Sequence, residues 1–144
     1  MPVSILNRVN DFFESYTKAF ELMDTKLMAM LHNIPCTLLD DDATNIYAEA
    51  SRLEGLFNQG IHFYKQHGII HARAEVWNVQ AMTDKVAKVK VNWKYFDANN
   101  KPVYDCDYYY ILKMDKHEHP KIILSISVNE KERMEDWLQQ TQNK

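Results

Sequence analysis

The groups in this chain that could hold or move a proton are carboxylates and phenols set on apolar faces. Asp40 ends the run Cys36 to Asp40, where alternation places Cys36, Leu38 and Asp40 on one face, so an acid shares a surface with apolar side chains. It also opens the turn Asp40, Asp41, Asp42, and an aspartate there is ordinarily a turn former. Tyr16 lies in an apolar helical stripe, either as a core aromatic with its hydroxyl satisfied or as a donor aimed at a ligand. Tyr108, Tyr109 and Tyr110 have high strand propensity and would pack a sheet with or without a ligand. Trp77 and Trp93 either line a pocket or fill it. His67 and His71 are four residues apart, but Gly68 breaks the helix between them, which argues against a shared metal site. His117 and His119 fall in a turn. No nucleotide loop, metal cluster or catalytic triad stands out, and no cofactor is called for.

Helices and strands must bring these groups together. Ile5, Val9, Phe12, Tyr16, Phe20 and Met23 recur at steps of three or four and predict a first helix with an aromatic stripe, capped by Ser4. Asp24 caps a short second helix with Leu27, Met30 and Leu31 inward, and Pro35 forbids its continuation. After the short strand and a brief return through Asn45 to Tyr47, Ser51 and Glu54 have capping-box spacing and open a third helix with Leu53, Phe57, Gly60 and Tyr64 inward. Gly68 closes that helix in the left-handed conformation. Gly55 and Gly60 inside it mark either a close approach to the sheet or a tolerated defect.

Beyond Gly68 the period changes to two. Ala87, Val89, Val91, Trp93 and Tyr95 alternate with Lys88, Lys90, Asn92 and Lys94, a core face and a basic, solvated face. Turn residues at Thr83 to Lys85, Asp97 to Asn100 and His117 to Pro120 predict four sequential antiparallel strands from Ile69 to Val128. Tyr104, Cys106, Tyr108, Tyr110, Leu112 and Met114 share one side of the third; Ile122, Leu124, Ile126 and Val128 share one side of the last. Asn129 caps a final helix, 130–140, whose stripe of Met134, Trp137 and Leu138 must cover something. Helices first and antiparallel strands after them read as α+β, helices packed on one face of a curved sheet.

The 144 residues suit one domain with a core of its own. Cys36 and Cys106 read as small buried hydrophobes, which suits a reducing cytoplasm. A net charge of −3, from 17 basic and 20 acidic residues interspersed, gives no footprint for nucleic acid or an anionic membrane. Met1 to Asn10 lacks the character of a signal peptide, and no apolar run reaches about 18 residues.

Tyr16 with Ala19 and Phe20 late in the first helix, Asp24 before the second, Thr37 to Asp40 in the short strand, and the strands holding Trp93, Tyr95 and Tyr108 to Leu112 together resemble the ketosteroid-isomerase-like superfamily, which includes nuclear transport factor 2 and polyketide cyclases. The resemblance runs from Leu6 to about Val128. It implies a cone-shaped cavity between three helices and a concave sheet, and a homodimer formed through the sheet. It further implies that Asp40 is a general base, that Tyr16 is the donor stabilising a developing enolate, and that Tyr110 stands where the isomerase has a protonated aspartic acid as second donor. Loss of one such donor costs about 3 kcal/mol. The implied cavity wall includes Phe20, Phe57 and Tyr64 from the helices and Trp77, Trp93, Tyr108 and Leu112 from the strands. Two functions follow: a site for a small apolar molecule bearing a carbonyl or hydroxyl, with isomerase, dehydratase or cyclase chemistry; or a noncatalytic dimeric or partner-binding module whose cavity is filled by its own aromatics.

Overall fold

The computed structural model describes residues 4–142. A 3-10 turn, Ile5–Arg8, leads into α1 (Val9–Glu21); α2 (Thr25–Met30), β1 (His32–Leu39), β2 (Thr44–Tyr47) and α3 (Ala50–Gln66) follow. Strands β3 (Ile69–Ala81), β4 (Val86–Asp97), β5 (Pro102–Met114) and β6 (Pro120–Ser127) precede α4 (Glu130–Gln142). The six strands make one sheet in the order β2-β1-β6-β5-β4-β3. All neighbours are antiparallel except β1 and β6. The α+β architecture expected from the sequence is therefore present, with the meander β3 to β6 as read.

The core lies between α1 and the concave face. Val9, Phe12, Phe13 and Phe20 of α1 pack on Ala87, Val89, Val91, Trp93 and Tyr95 of β4 and on Cys106, Tyr110, Leu112 and Met114 of β5, all buried. A second cluster joins Ala29, Cys36 and Leu53, which fixes α2 and α3 against β1. Asp24 caps α2 by accepting from the Leu27 amide at 3.0 Å. Its inward side is Thr25, Met28 and Ala29, whereas Met30 is exposed, so the expected stripe is rotated. Met23 also leaves the α1 stripe. It takes a left-handed φ of 56°, with the Met23 amide donating to Phe20 O and the Asp24 amide to Ala19 O, a Schellman closure made without glycine.

Two further expectations are corrected, and one open alternative is decided. α3 begins at Ala50 with Glu49 as its N-cap residue and no side-chain cap bond, so the Ser51 and Glu54 capping box does not form. Gly55 and Gly60 have nothing within 4 Å of an added Cβ, which makes them tolerated defects rather than close approaches. Gly68 does close the helix, at φ 74°. The second correction is one of parity: an irregularity in the β5 and β6 pairing at Ile111 and Leu112 sets Ser125 opposite Tyr110 and Ser127 opposite Tyr108. Ser125 and Ser127 thereby face inward with the tyrosines, and Leu124 and Ile126, opposite Ile111 and Tyr109, turn to the outer face.

Candidate functional site

Between the helices and the concave sheet lies a hollow of about 530 Å³. Its wall is built from α1 (Tyr16, Phe20), α3 (Phe57, Gly60, Tyr64), β4 (Trp93, Tyr95) and β5 (Tyr108, Tyr110), with Met28 and His32 at one side and Glu130 and Met134 of α4 at another. Helical spacing of four residues sets Tyr16 beside Phe20, and strand alternation sets Trp93 beside Tyr95 and Tyr108 beside Tyr110. The aromatic rings touch one another around the wall: Tyr16 and Trp93 at 5.3 Å, Phe20 and Tyr64 at 5.2 Å, Tyr64 and Tyr95 stacked at 5.2 Å.

Tyr16 and Asp40 both border this hollow. No described residue hydrogen-bonds the Tyr16 hydroxyl, and burial pushes its pKa above the usual phenol range, so it is a neutral donor. Asp40 is exposed at the rim, and its Oδ1 accepts from the Asp42 and Ala43 amides at 2.8 Å each. The dry surroundings expected for it are absent, because the acid lies one residue past β1 and turns toward its own loop. Tyr110 is buried with its hydroxyl accepting from Trp93 Nε1 at 2.8 Å.

The expected wall residues Phe20, Phe57, Tyr64, Trp93 and Tyr108 all border the hollow. Trp77 does not: Ala72, Ala74 and Val76 pair with the inward Tyr95, Trp93 and Val91, so alternation puts Trp77 on the outer face, half exposed, under the Lys90 and Lys94 ammonium groups. Leu112 is fully buried core, beyond the hollow. His67 stacks on Phe63 while His71 meets Glu21 at 3.4 Å, so the two imidazoles part, and the described residues hold no group of three or more potential metal ligands. Burial raises the pKa of both Cys36 and Cys106, which keeps them as thiols.

Two residues that carried no signal in the sequence dominate the polar lining. His32, buried, donates from Nδ1 to Met28 O at 2.8 Å, which leaves Nε2 as the bare nitrogen. Burial lowers its pKa to about 4, so it is neutral. Glu130, the first residue of α4, receives three phenol hydroxyls: Tyr64 at 2.7 Å and Tyr104 at 3.2 Å on Oε2, and Tyr108 on Oε1. Its position is fixed from behind, where Asn129 Oδ1 accepts from the Asp107 amide at 2.8 Å and Asn129 Nδ2 donates to Asp107 Oδ2 at 3.1 Å. Burial, and after it the Glu130 charge, raises the pKa of Tyr64, Tyr95 and Tyr108, so these phenols too stay neutral. α4 covers one side of the hollow through Met134, and Trp137 packs on Tyr104 and His67 at 5.9 Å each. A neutral donor, a neutral acceptor and a carboxylate thus share one aromatic chamber.

Known proteins share this architecture at low identity. A domain of unknown function with a cystatin-like fold from Nostoc punctiforme superposes with a TM-score of 0.67 at 11% identity, over 85% of this chain and 75% of that one. A ketosteroid isomerase-like protein from Erwinia carotovora atroseptica gives 0.63 at 10% identity, over 85% and 94%. An NTF-2 like protein of unknown function from Shewanella oneidensis gives 0.62 at 10%, over 85% and 98%. At such identities the likeness is one of fold. No curated protein matches the chain. Residues 7–130 match the family described as NTF2-like protein (DUF6841), and with that span covered the chain belongs to the NTF2-like family.

Proposed function

We propose that the protein binds a small, mostly apolar molecule carrying a carbonyl or hydroxyl group, and that Tyr16 and Asp40 serve cofactor-free proton transfer on it. The observation that carries the reading is the hollow itself, about 530 Å³ against the roughly 300 Å³ at which ligand sites begin. That volume speaks against a cavity filled by its own aromatics. At its polar side the Tyr16 hydroxyl can donate to a ligand oxygen while His32 Nε2 accepts from a ligand hydroxyl. In the proton-transfer step the Asp40 carboxylate removes a proton from the carbon next to the carbonyl. Tyr16 stabilises the oxygen that gains charge, and the proton returns to another carbon or assists departure of a hydroxyl.

The test is deuterium exchange of the acidic protons of apolar ketones in D2O, followed by NMR with the purified protein. Exchange above the buffer rate should fall at least about 100-fold in Asp40→Asn and in Tyr16→Phe. The Asp40→Asn amide oxygen still accepts from the Asp42 and Ala43 amides, so the melting temperature should hold. Unfolding of that variant would make Asp40 a structural cap. One observation favours the second reading, a binding protein without turnover: Asp40 is exposed and committed to its own turn. Ketone binding without exchange is the result that reading expects. The same proposal has two copies associating through the outer face of the sheet.

A further inference from the structure

We propose that the hollow selects a positively charged ligand, an amine or quaternary ammonium group seated between the Glu130 carboxylate and the tyrosine rings around it, with its apolar body running toward Tyr16. The inference rests on the binding reading above and names the chemistry of what is bound.

Three phenol hydroxyls are directed at both oxygens of the Glu130 carboxylate. The donors hold it in one place and satisfy its hydrogen bonds, but they are neutral and cancel none of its charge. Three cations of the neighbouring elements have partners other than Glu130. Arg133 Nη1 lies 3.3 Å from Asp105, Lys121 donates to Met30 O, and Lys131, two-thirds exposed at the rim, lies 3.6 Å from Asp42. His32 is neutral. The charged side chains that border the hollow are then Glu130 and Asp40 against Lys131 alone, and Lys131 already has an acidic partner.

A half-buried carboxylate with no cation of its own, facing a chamber of low dielectric, favours a positive guest and repels a negative one. The walls add to this. Tyr64, Tyr95 and Tyr108 border the same space, with Phe20 and Trp93 beyond them, and an aromatic face attracts an ammonium through the ring quadrupole. An aromatic chamber with one preset carboxylate is suited to organic cations and is a poor host for carboxylates or phosphates.

Calorimetric titration with three compounds of one shape, phenylbutylamine, phenylbutanol and phenylbutyrate, at neutral pH tests this. The ammonium compound should bind roughly tenfold or more tightly than the alcohol, and phenylbutyrate weakest. Glu130→Gln should bring the amine down to the level of the alcohol. Equal or tighter binding of the alcohol or the carboxylate by the unaltered protein would overturn the inference while leaving the binding reading intact; an amine advantage that survives Glu130→Gln would overturn it too. If none of the three binds, both readings fall. Should Glu130→Gln fail to fold, the comparison of the three compounds on the unaltered protein decides alone.

Discussion

A histidine enclosed by Met28, Tyr16 and Phe57 can stay there only as the neutral imidazole, and His32 does so by donating its one proton to a helix-end carbonyl. This couples the residue to stability. Its pKa falls from 6.5 to about 4, chiefly through burial, so between those values the unfolded chain binds a proton that the folded one refuses. Stability should therefore be level above pH 6.5 and drop as the pH falls toward 4, by ~3 kcal/mol from this group alone. Urea unfolding across that range should show the slope, and His32→Gln should flatten it; an unchanged slope in the variant would assign the acid sensitivity to other groups. Nothing in the sequence marks His32, since a lone histidine after a short helix has no pattern to belong to. Tyr16 was legible because its neighbours Phe12 and Phe20 repeat at helical spacing, whereas the exposure of Asp40 depends on where one strand stops, a matter of a single residue.

Strand and helix patterns were readable wherever one face is plainly apolar, as in β4, whose five expected inward residues are all buried. They failed where a local irregularity changes parity. The shift between β5 and β6 reverses which residues of β6 beyond Ile122 face inward; Trp77 follows the alternation set by Ala72, Ala74 and Val76 and so lies on the outer surface, away from the expected hollow. α4 is present where the sequence places it, but its expected cap failed. Asn129 has the look of an N-cap, yet its side chain is spent across the chain on Asp107, and that link is what carries Glu130 to the tyrosines. On the other side Asn92 Nδ2 donates to Asp107 Oδ1 at 2.9 Å; burial pulls the Asp107 pKa upward, but Asn92 and Asn129 outweigh it and hold the pKa below the usual range. Since α4 has no fully buried residue among those described, these bonds carry a large share of its attachment, beside the packing of Trp137 and the phenols on Glu130. Asn129→Ala leaves the Asp107 amide unpaired, a loss of about 1–3 kcal/mol. Hydrogen exchange should then show α4 amides losing protection while those of β4 keep theirs; equal loss in both elements would mean that α4 is not a separate unit of stability.

The same parity shift that furnishes the hollow with Ser125 and Ser127 also exports Leu124 and Ile126, and at the scale of the whole molecule this makes the outer face of the sheet unlike a solvated surface. Ile111 and Tyr109 pair with them, and Val128 beyond β6 is 45% exposed. Beside this patch Lys90 Nζ stands 5.3 Å over the Trp77 ring and 5.5 Å over Tyr109, and Lys88 stands 5.1 Å over Tyr109. Lys94 binds Glu75 at 2.6 Å and Asn92 at 2.7 Å, so the basic stripe read as solvated is partly neutralised and lies over aromatic rings. A face of this kind has the aromatic and aliphatic centre with a charged rim that stable interfaces show. A dimer through it would bury more than about 1,000 Å² in total, and the two hollows, on the opposite faces of the sheets, would stay open. Sedimentation equilibrium at micromolar concentration should return twice the chain mass, and Ile126→Lys, which sets a charge in the centre of the patch, should return the chain mass with the fold intact by circular dichroism. A monomer in the unaltered protein at that concentration would refute the association, and a dimer that survives Ile126→Lys would move it to another surface.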